Sequence, residues 1–258
     1  MTPAGWTFTI WAFIYIWQLV LIIYSHTLLC RRNMTGYHYV SPAHIHPAFY
    51  AIYIINCVFN LGWIFLFDRQ YMEVALVFLI AIACTLYTCG VLVCWSLNNA
   101  GAAMETLGMV KDIWMTRIIV LNGIAFYGTW CTVATLLNLS IVIQYRAGVD
   151  AITVVWVALG ILTAEITGWF VLENFVFDRH LRYCFSQYIV LPIALGGILS
   201  KNYAPDTPHM TYVIFLLCLS GALGLTKIIV IAVRSWKCPI TYTRPAISNS
   251  DVETAVDN

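Results

Sequence analysis

The chain has 258 residues, 61% of them hydrophobic and 10% charged, with a mean hydropathy of +0.82 and a formal net charge of +1. Soluble domains carry roughly a quarter charged residues, so this composition describes an integral membrane protein. With no basic cluster longer than Arg31-Arg32, it also excludes a surface that tracks nucleic-acid backbones.

Apolar runs of about 20 residues, the length that crosses a bilayer as a helix, predict an all-α polytopic membrane bundle of about seven transmembrane helices. The spans are 6–29, 47–67, 71–95, 117–144, 151–176, 184–200 and 211–235; the sixth is the shortest and is interrupted by Pro192 and Gly196-Gly197. The chain opens on "TPAGWTFTIWAFIYIW", where Thr2 and Pro3 suit a helix start. In the first span Trp11, Tyr15 and Gln18 share one helical face. The loop 30–46 carries His38, His44 and His46, but no cysteine or carboxylate joins them at ligand spacing, so no metal site is expected. On the second span Asn56, Asn60, Trp63 and Phe67 again fall on one face. The connection 96–116, which includes "SLNNAGAAMETLGMVKDIW", reads as a loop lying partly in the interface. Tyr127, Trp130, Ala134 and Asn138 repeat the one-face pattern on the fourth span.

Amides are costly in hydrocarbon and point into a bundle, so these three faces are expected to converge. Two readings follow. The groups make helix–helix hydrogen bonds and a packed aromatic core, or they line a cavity for a large, flat, apolar ligand, with ring faces supplying contact area and amides supplying orientation. Small Ala134, between Trp130 and Asn138, leaves room for the second.

The fifth and seventh spans hold the most expensive side chains. Glu165 and Lys227 lie 15 and 16 residues into spans that run in the same direction, hence at similar depth. An isolated charge there costs roughly 2.5 to 3.5 kcal/mol, which predicts a Glu165–Lys227 ion pair. Gly160, Ala164 and Gly168 beside Glu165 would let another helix approach. The pair is structural, or it is the coupling site of a proton- or ion-coupled secondary transporter, with Glu173 nearer the membrane edge. Seven-helix receptor signatures and the third-helix partners of a retinal-type Schiff base are missing. No serine–histidine–acid set, phosphate-cradling glycine loop or metal quartet appears either, so hydrolytic or phosphoryl chemistry has no residues to carry it.

Counted by side, the basic residues at or beyond the span ends divide nine (Arg31, Arg32, Lys111, Arg117, Arg179, Arg182, Arg234, Lys237, Arg244) against three (Arg69, Arg146, Lys201). This predicts a cytoplasmic C-terminus and an exoplasmic or lumenal N-terminus. The segment 238–258 is polar and unpatterned and reads as a disordered cytoplasmic tail. Most of the nine cysteines sit in apolar runs and read as small buried hydrophobes. Cys30 and Cys238, near membrane edges, read as free thiols, with S-acylation as the alternative.

Three stretches carry a family resemblance. "PAGWTFTIWAFIYIW" resembles the Pro-x-Gly-Trp-x-Phe signature of the TspO/MBR family, the tryptophan-rich sensory and translocator proteins. "NCVFNLGWIFLFDRQYMEVALVFLIAIA" is similar to that family's Leu-Asn-x-x-Trp helix and the one after it, and "YGTWCTVATLLNLSI" to its last helix, with Leu136 where the family has tyrosine. The three stand in family order over residues 2–146. This region is therefore expected to form the family core without the family's first helix, either because the sequence is truncated or because the bundle is completed otherwise. Residues 147–237 are expected to add a three-helix membrane region. The resemblance implies a pocket for a tetrapyrrole such as protoporphyrin IX, or for another small hydrophobic ligand, formed by Trp6, Phe8, Trp11, Asn60, Trp63, Trp130, Ala134 and Asn138. It also implies a sensory or ligand-transport role, a homodimer in the lipid bilayer, and porphyrin breakdown as the one chemistry, with no cofactor required.

Overall fold

The computed structural model describes residues 2–34, 36–204 and 207–242. In chain order it contains a 3-10 turn (Gly5–Thr9), α1 (Ile10–Cys30) and a small hairpin, β1 (Arg32–Asn33) paired antiparallel with β2 (Gly36–Tyr37). Helices α2 (Pro47–Asp68), α3 (Met72–Thr106) and α4 (Val110–Met115) follow. A π-helical stretch (Thr116–Leu121) then leads into α5 (Asn122–Arg146). Next, α6 (Ala151–Val171) ends in a π turn (Leu172–Val176), and α7 (Asp178–Leu181), α8 (Gln187–Asn202) and α9 (Pro208–Lys237) complete the described chain. Among the described residues, six helices are long and apolar enough to cross a membrane.

The remaining predicted span is α8, whose 16 residues reach about 24 Å at 1.5 Å each. Its weak signal in the sequence has a physical cause. Val190, Leu191, Ala194, Leu195 and Ile198 are buried, where α8 packs on α5 and α9, so a continuous lipid-facing apolar surface is not required of it. Elsewhere α2 packs on α3, α3 on α5, and α5 on α1 and α6. One apolar core runs through all of them and includes Ile14, Phe49, Leu86, Trp130, Leu195 and Leu216.

Two expectations about the connections are corrected. The opening residues are a strap across α8 rather than a helix start: the Ala4 N–H donates to the Gly197 carbonyl (2.9 Å), and the Asn202 amide donates to the Thr2 carbonyl (2.8 Å). Thr7 is fully buried against Gly197, where an added Cβ would lie 2.0 Å from the Thr7 Oγ1; only glycine permits that approach. The segment 96–116, read as a loop, is mostly helix. Helix α3 runs through Asn98-Asn99 to Thr106, and the chain reverses over Leu107–Met109, with Gly108 at φ +70° before α4 begins. The end of α3 and α4 enclose a second small core of Leu97, Ala100, Met104, Met109 and Ile113.

The cysteines divide between interior and surface. Cys89, Cys131 and Cys184 are buried, whereas Cys57, Cys84 and Cys218 face outward and are not the buried hydrophobes expected. The predicted disordered tail lies, from residue 243 onward, outside the described residues. Residues 238–242 fold back on the bundle.

Candidate functional site

The rings expected to share one face meet in space. Trp11 of α1 stacks on Trp63 of α2 (centroids 5.4 Å apart) and on Tyr15 (5.6 Å), and sets its edge against Tyr127 (6.0 Å) and Trp130 (6.3 Å) of α5. Phe8 completes the group edge-on to Trp130 at 6.3 Å. Such offset and edge-to-face arrangements are the favourable ones for ring quadrupoles. Trp130 is 2% exposed. Trp6 stands apart from these rings: its indole N–H donates to the Ser200 hydroxyl of α8 (3.2 Å), and the residue is otherwise exposed.

The polar residues of the three faces divide into two kinds. Gln18 is fully satisfied within the bundle, and Asn56 is satisfied through its Nδ2 while its Oδ1 has no partner among the described residues. The Gln18 amide donates to the Gly123 carbonyl and accepts from the Tyr53 hydroxyl (3.1 and 3.0 Å), while Asn56 donates to the Ile82 carbonyl and the Thr85 hydroxyl. Beside the rings the situation reverses. Asn60 accepts a long 3.4 Å bond from the Tyr15 hydroxyl, but its Nδ2 has no partner among the described residues, nor do Trp63 Nε1, Trp130 Nε1, or Nδ2 and Oδ1 of Asn138. Buried polar atoms normally find partners, yet Asn60, Trp63 and Trp130 keep unmet hydrogen-bonding capacity beside the rings, and Asn138 does so two helical turns further along α5. Ala134 lies between Trp130 and Asn138 on the same face, partly buried against the core.

The predicted Glu165–Lys227 ion pair does not form. Lys227 pairs with Glu173, both fully buried, and its Nζ also donates to the Leu181 carbonyl (3.1 Å). Gln187 donates to the other Glu173 oxygen. The physical reason is helical phase. The inward stripe of α6 runs Leu159, Leu162, Ile166 and then Glu173, seven residues further on. Glu165 falls on the outward face with Gly160, Ala164 and Gly168; the glycines have open space beside them rather than another helix of this chain. Equal depth was the wrong criterion; that inward stripe pointed to Glu173.

Sequence reasoning also missed a dense polar layer at the end of the bundle that carries most of the basic residues. Asp112, 2% exposed, takes a bidentate pair from Arg31 (2.6 and 2.8 Å) and a 3.3 Å bond from Tyr24. Two of the three histidines share the Asp112 cluster and the third stands apart. His38 lies 3.6 Å from Asp112, His44 contacts the Tyr24 hydroxyl, and His46 accepts from the Ala48 N–H at the start of α2. Burial pushes the His44 imidazole down, which keeps it neutral at pH 7.

Asp178 ties α7 to α9 through Arg182 (2.5 Å) and Arg234 (2.6 Å). Burial alone would raise its carboxyl; hydrogen bonds from Arg182 and then Arg234 outweigh burial and hold it below the usual carboxylate range. A depressed folded value contributes stability above the unfolded pKa, about 3.9, that disappears as pH falls through the folded one. In detergent, the wild-type melting temperature should therefore drop more steeply than that of Asp178→Asn between about pH 5 and pH 2.5. Parallel curves would contradict this.

Comparison with known proteins adds one finding. A family model described as TSPO-like protein matches residues 1–231, a stretch that continues past the three motifs through α6 and α8 and into α9. No curated protein and no solved structure matches the chain.

Proposed function

The chain belongs to the TSPO-like protein family, and on that footing we propose that it binds a planar hydrophobic ligand of the tetrapyrrole type beside Trp11, Trp63 and Trp130, in a sensory or ligand-transport role. The observation that carries this reading is the set of unmet polar atoms on Asn60, Trp63 and Trp130 beside one ring cluster, with those of Asn138 two helical turns further along α5. A flat macrocycle offers its faces to the indoles and its carboxylate or carbonyl edge to their N–H groups and the amides. Because Trp11 and Trp63 are stacked on each other, the ligand enters by parting them and replaces one ring face with its own. A bound tetrapyrrole would supply light absorption and redox chemistry; the residues of the chain bind and orient it. The nine-to-three distribution of basic residues supports a cytoplasmic C-terminus in this reading.

Quenching of tryptophan fluorescence by protoporphyrin IX tests the site. Trp130→Phe keeps a ring but loses an unpartnered donor worth about 1 kcal/mol, so binding should weaken roughly fivefold. Ala134→Leu inserts bulk where the ligand edge would lie and should weaken it at least about tenfold. Unchanged affinity in both folded variants would remove this site from consideration.

A further inference from the structure

Beyond α9 the chain crosses the polar end of the bundle as a short strap, and Tyr242 is its anchor. The Tyr242 N–H donates to both carboxylate oxygens of Glu105 (3.0 and 3.1 Å) at the end of α3. Its ring packs on the second core, so close to Gly101 that an added Cβ there would lie 2.3 to 2.6 Å from the ring. Arg182 holds the start of the strap through the Cys238 carbonyl (2.5 Å).

The far end of the Tyr242 ring meets Arg117. This guanidinium is boxed by three rings, Trp114 at 5.0 Å, Tyr183 at 4.7 Å and Tyr242 at 5.6 Å, and the residue is 5% exposed. Among the described residues no carboxylate lies within ion-pair distance of it, and its one side-chain hydrogen bond goes to the Tyr242 hydroxyl (3.1 Å). Buried charges are ordinarily paired, and here the position for the counter-charge is filled by a neutral phenol. Arg117 also sits in the π-helical stretch before α5, the kind of irregularity that recurs at functional positions.

We propose that Tyr242 is a phosphorylation site whose modified form locks the strap onto Arg117. The tyrosine oxygen attacks the γ-phosphorus of a nucleoside triphosphate bound to a protein kinase. A new P–O bond forms as the bond to the nucleoside diphosphate breaks, and the phenolic proton passes to the kinase's base. The product places a dianion where Arg117 now meets a hydroxyl, converting a neutral contact into a charge-assisted one. Because the ring is seated when docked, the kinase acts on the undocked strap and the new charge then favours the docked one. The inference rests on the cytoplasmic placement of this end, not on the ring site.

Trypsin cleavage after Lys237 releases residues 238–258, and mass spectrometry of this peptide from phosphatase-inhibited source cells should show phosphate on Tyr242. Full sequence coverage with Tyr242 unmodified overturns the proposal. Antibody access to a tail epitope in intact and permeabilised cells reports orientation separately, so an unmodified Tyr242 on a cytosolic tail sinks the lock and leaves the topology standing. For the contact itself, the full chain carrying phosphotyrosine at 242 is followed by 31P NMR against pH. The phosphate should titrate about 1 pH unit below its value in the Arg117→Gln chain. Identical titration with and without Arg117, or faster cleavage at Lys237 on phosphorylation, would refute it.

Discussion

Lys227→Met should destabilise the protein by about 3 to 5 kcal/mol, among the largest effects of any single substitution, because it strands a fully buried carboxylate. Glu173 and Lys227 are both 0% exposed. With the ammonium gone, Glu173 loses its counter-charge and keeps the neutral Gln187 amide, with Tyr188 and Trp169 beside it, and the Leu181 carbonyl loses its 3.1 Å donor. The carboxyl then either stays charged without compensation or takes up a proton, and both outcomes weaken the attachment of α9 to the α7 turn. Removing both charges is different in kind, since neutral groups of similar shape fit such an interior as well as an ion pair does. The Glu173→Gln/Lys227→Met double variant should therefore recover most of the loss. Thermal unfolding in detergent measures this as a fall of roughly 10 °C for the single variant. A loss under about 1 kcal/mol, or a double variant worse than Lys227→Met, would show that the pair is not what holds this region. Glu165→Gln is the control: its side chain faces outward, and it should leave unfolding unchanged.

The second large effect is expected at Asn122, which is 0% exposed and satisfies four backbone groups at once. Its Nδ2 donates to the carbonyls of Arg117 and Tyr183, both at 2.9 Å. Its Oδ1 accepts from the N–H groups of Phe185 and Ser186 at 2.9 and 3.1 Å. The first acceptor is a carbonyl of the π-helical stretch, and the two donors are the amides of Phe185 and of Ser186, the N-cap of α8. One side chain of α5 thus caps α8 from outside and repairs the irregular ladder before its own helix. Asn122→Ala removes all four bonds, and with buried groups stranded at about 1 to 3 kcal/mol each, partly relieved by water, a loss of about 3 to 5 kcal/mol is expected. Asn122→Asp keeps the acceptor and should cost less. Hydrogen exchange supplies the specific readout: the Phe185 and Ser186 amides should lose protection in Asn122→Ala. If they do not, the cap has no role in ordering the start of α8.

The ring site was legible to a useful extent. Trp11, Trp63 and Trp130 recur at helical spacing with amides between them, and local periodicity is enough to place each set on one face. That the faces meet followed from the cost of amides in lipid. Which amides would be spent on helix packing did not follow. Gln18 and Asn56 find carbonyls and hydroxyls of neighbouring helices while Asn138 finds none, and nothing local distinguishes them. Trp6 was grouped with the rings because it shares their motif, yet its indole turns to Ser200, on a helix 194 residues away.

By itself the sequence determined the membrane class, the apolar part of every long helix and the faces that carry rings, though not the extension of α3 to Thr106, because hydropathy and helical phase are sums over neighbours along the chain. Only the tertiary structure decided that Lys227 closes on Glu173, that the opening residues strap α8, and that Asn122, Asp112 and Arg117 organise one end of the bundle. Each of those outcomes depends on how far one helix is rotated against another. Two π-helical stretches, Thr116–Leu121 and Leu172–Val176, lie beside these very groups. An added residue in a turn changes the direction of every side chain after it, and that shift is set by long-range packing rather than by the residues that undergo it.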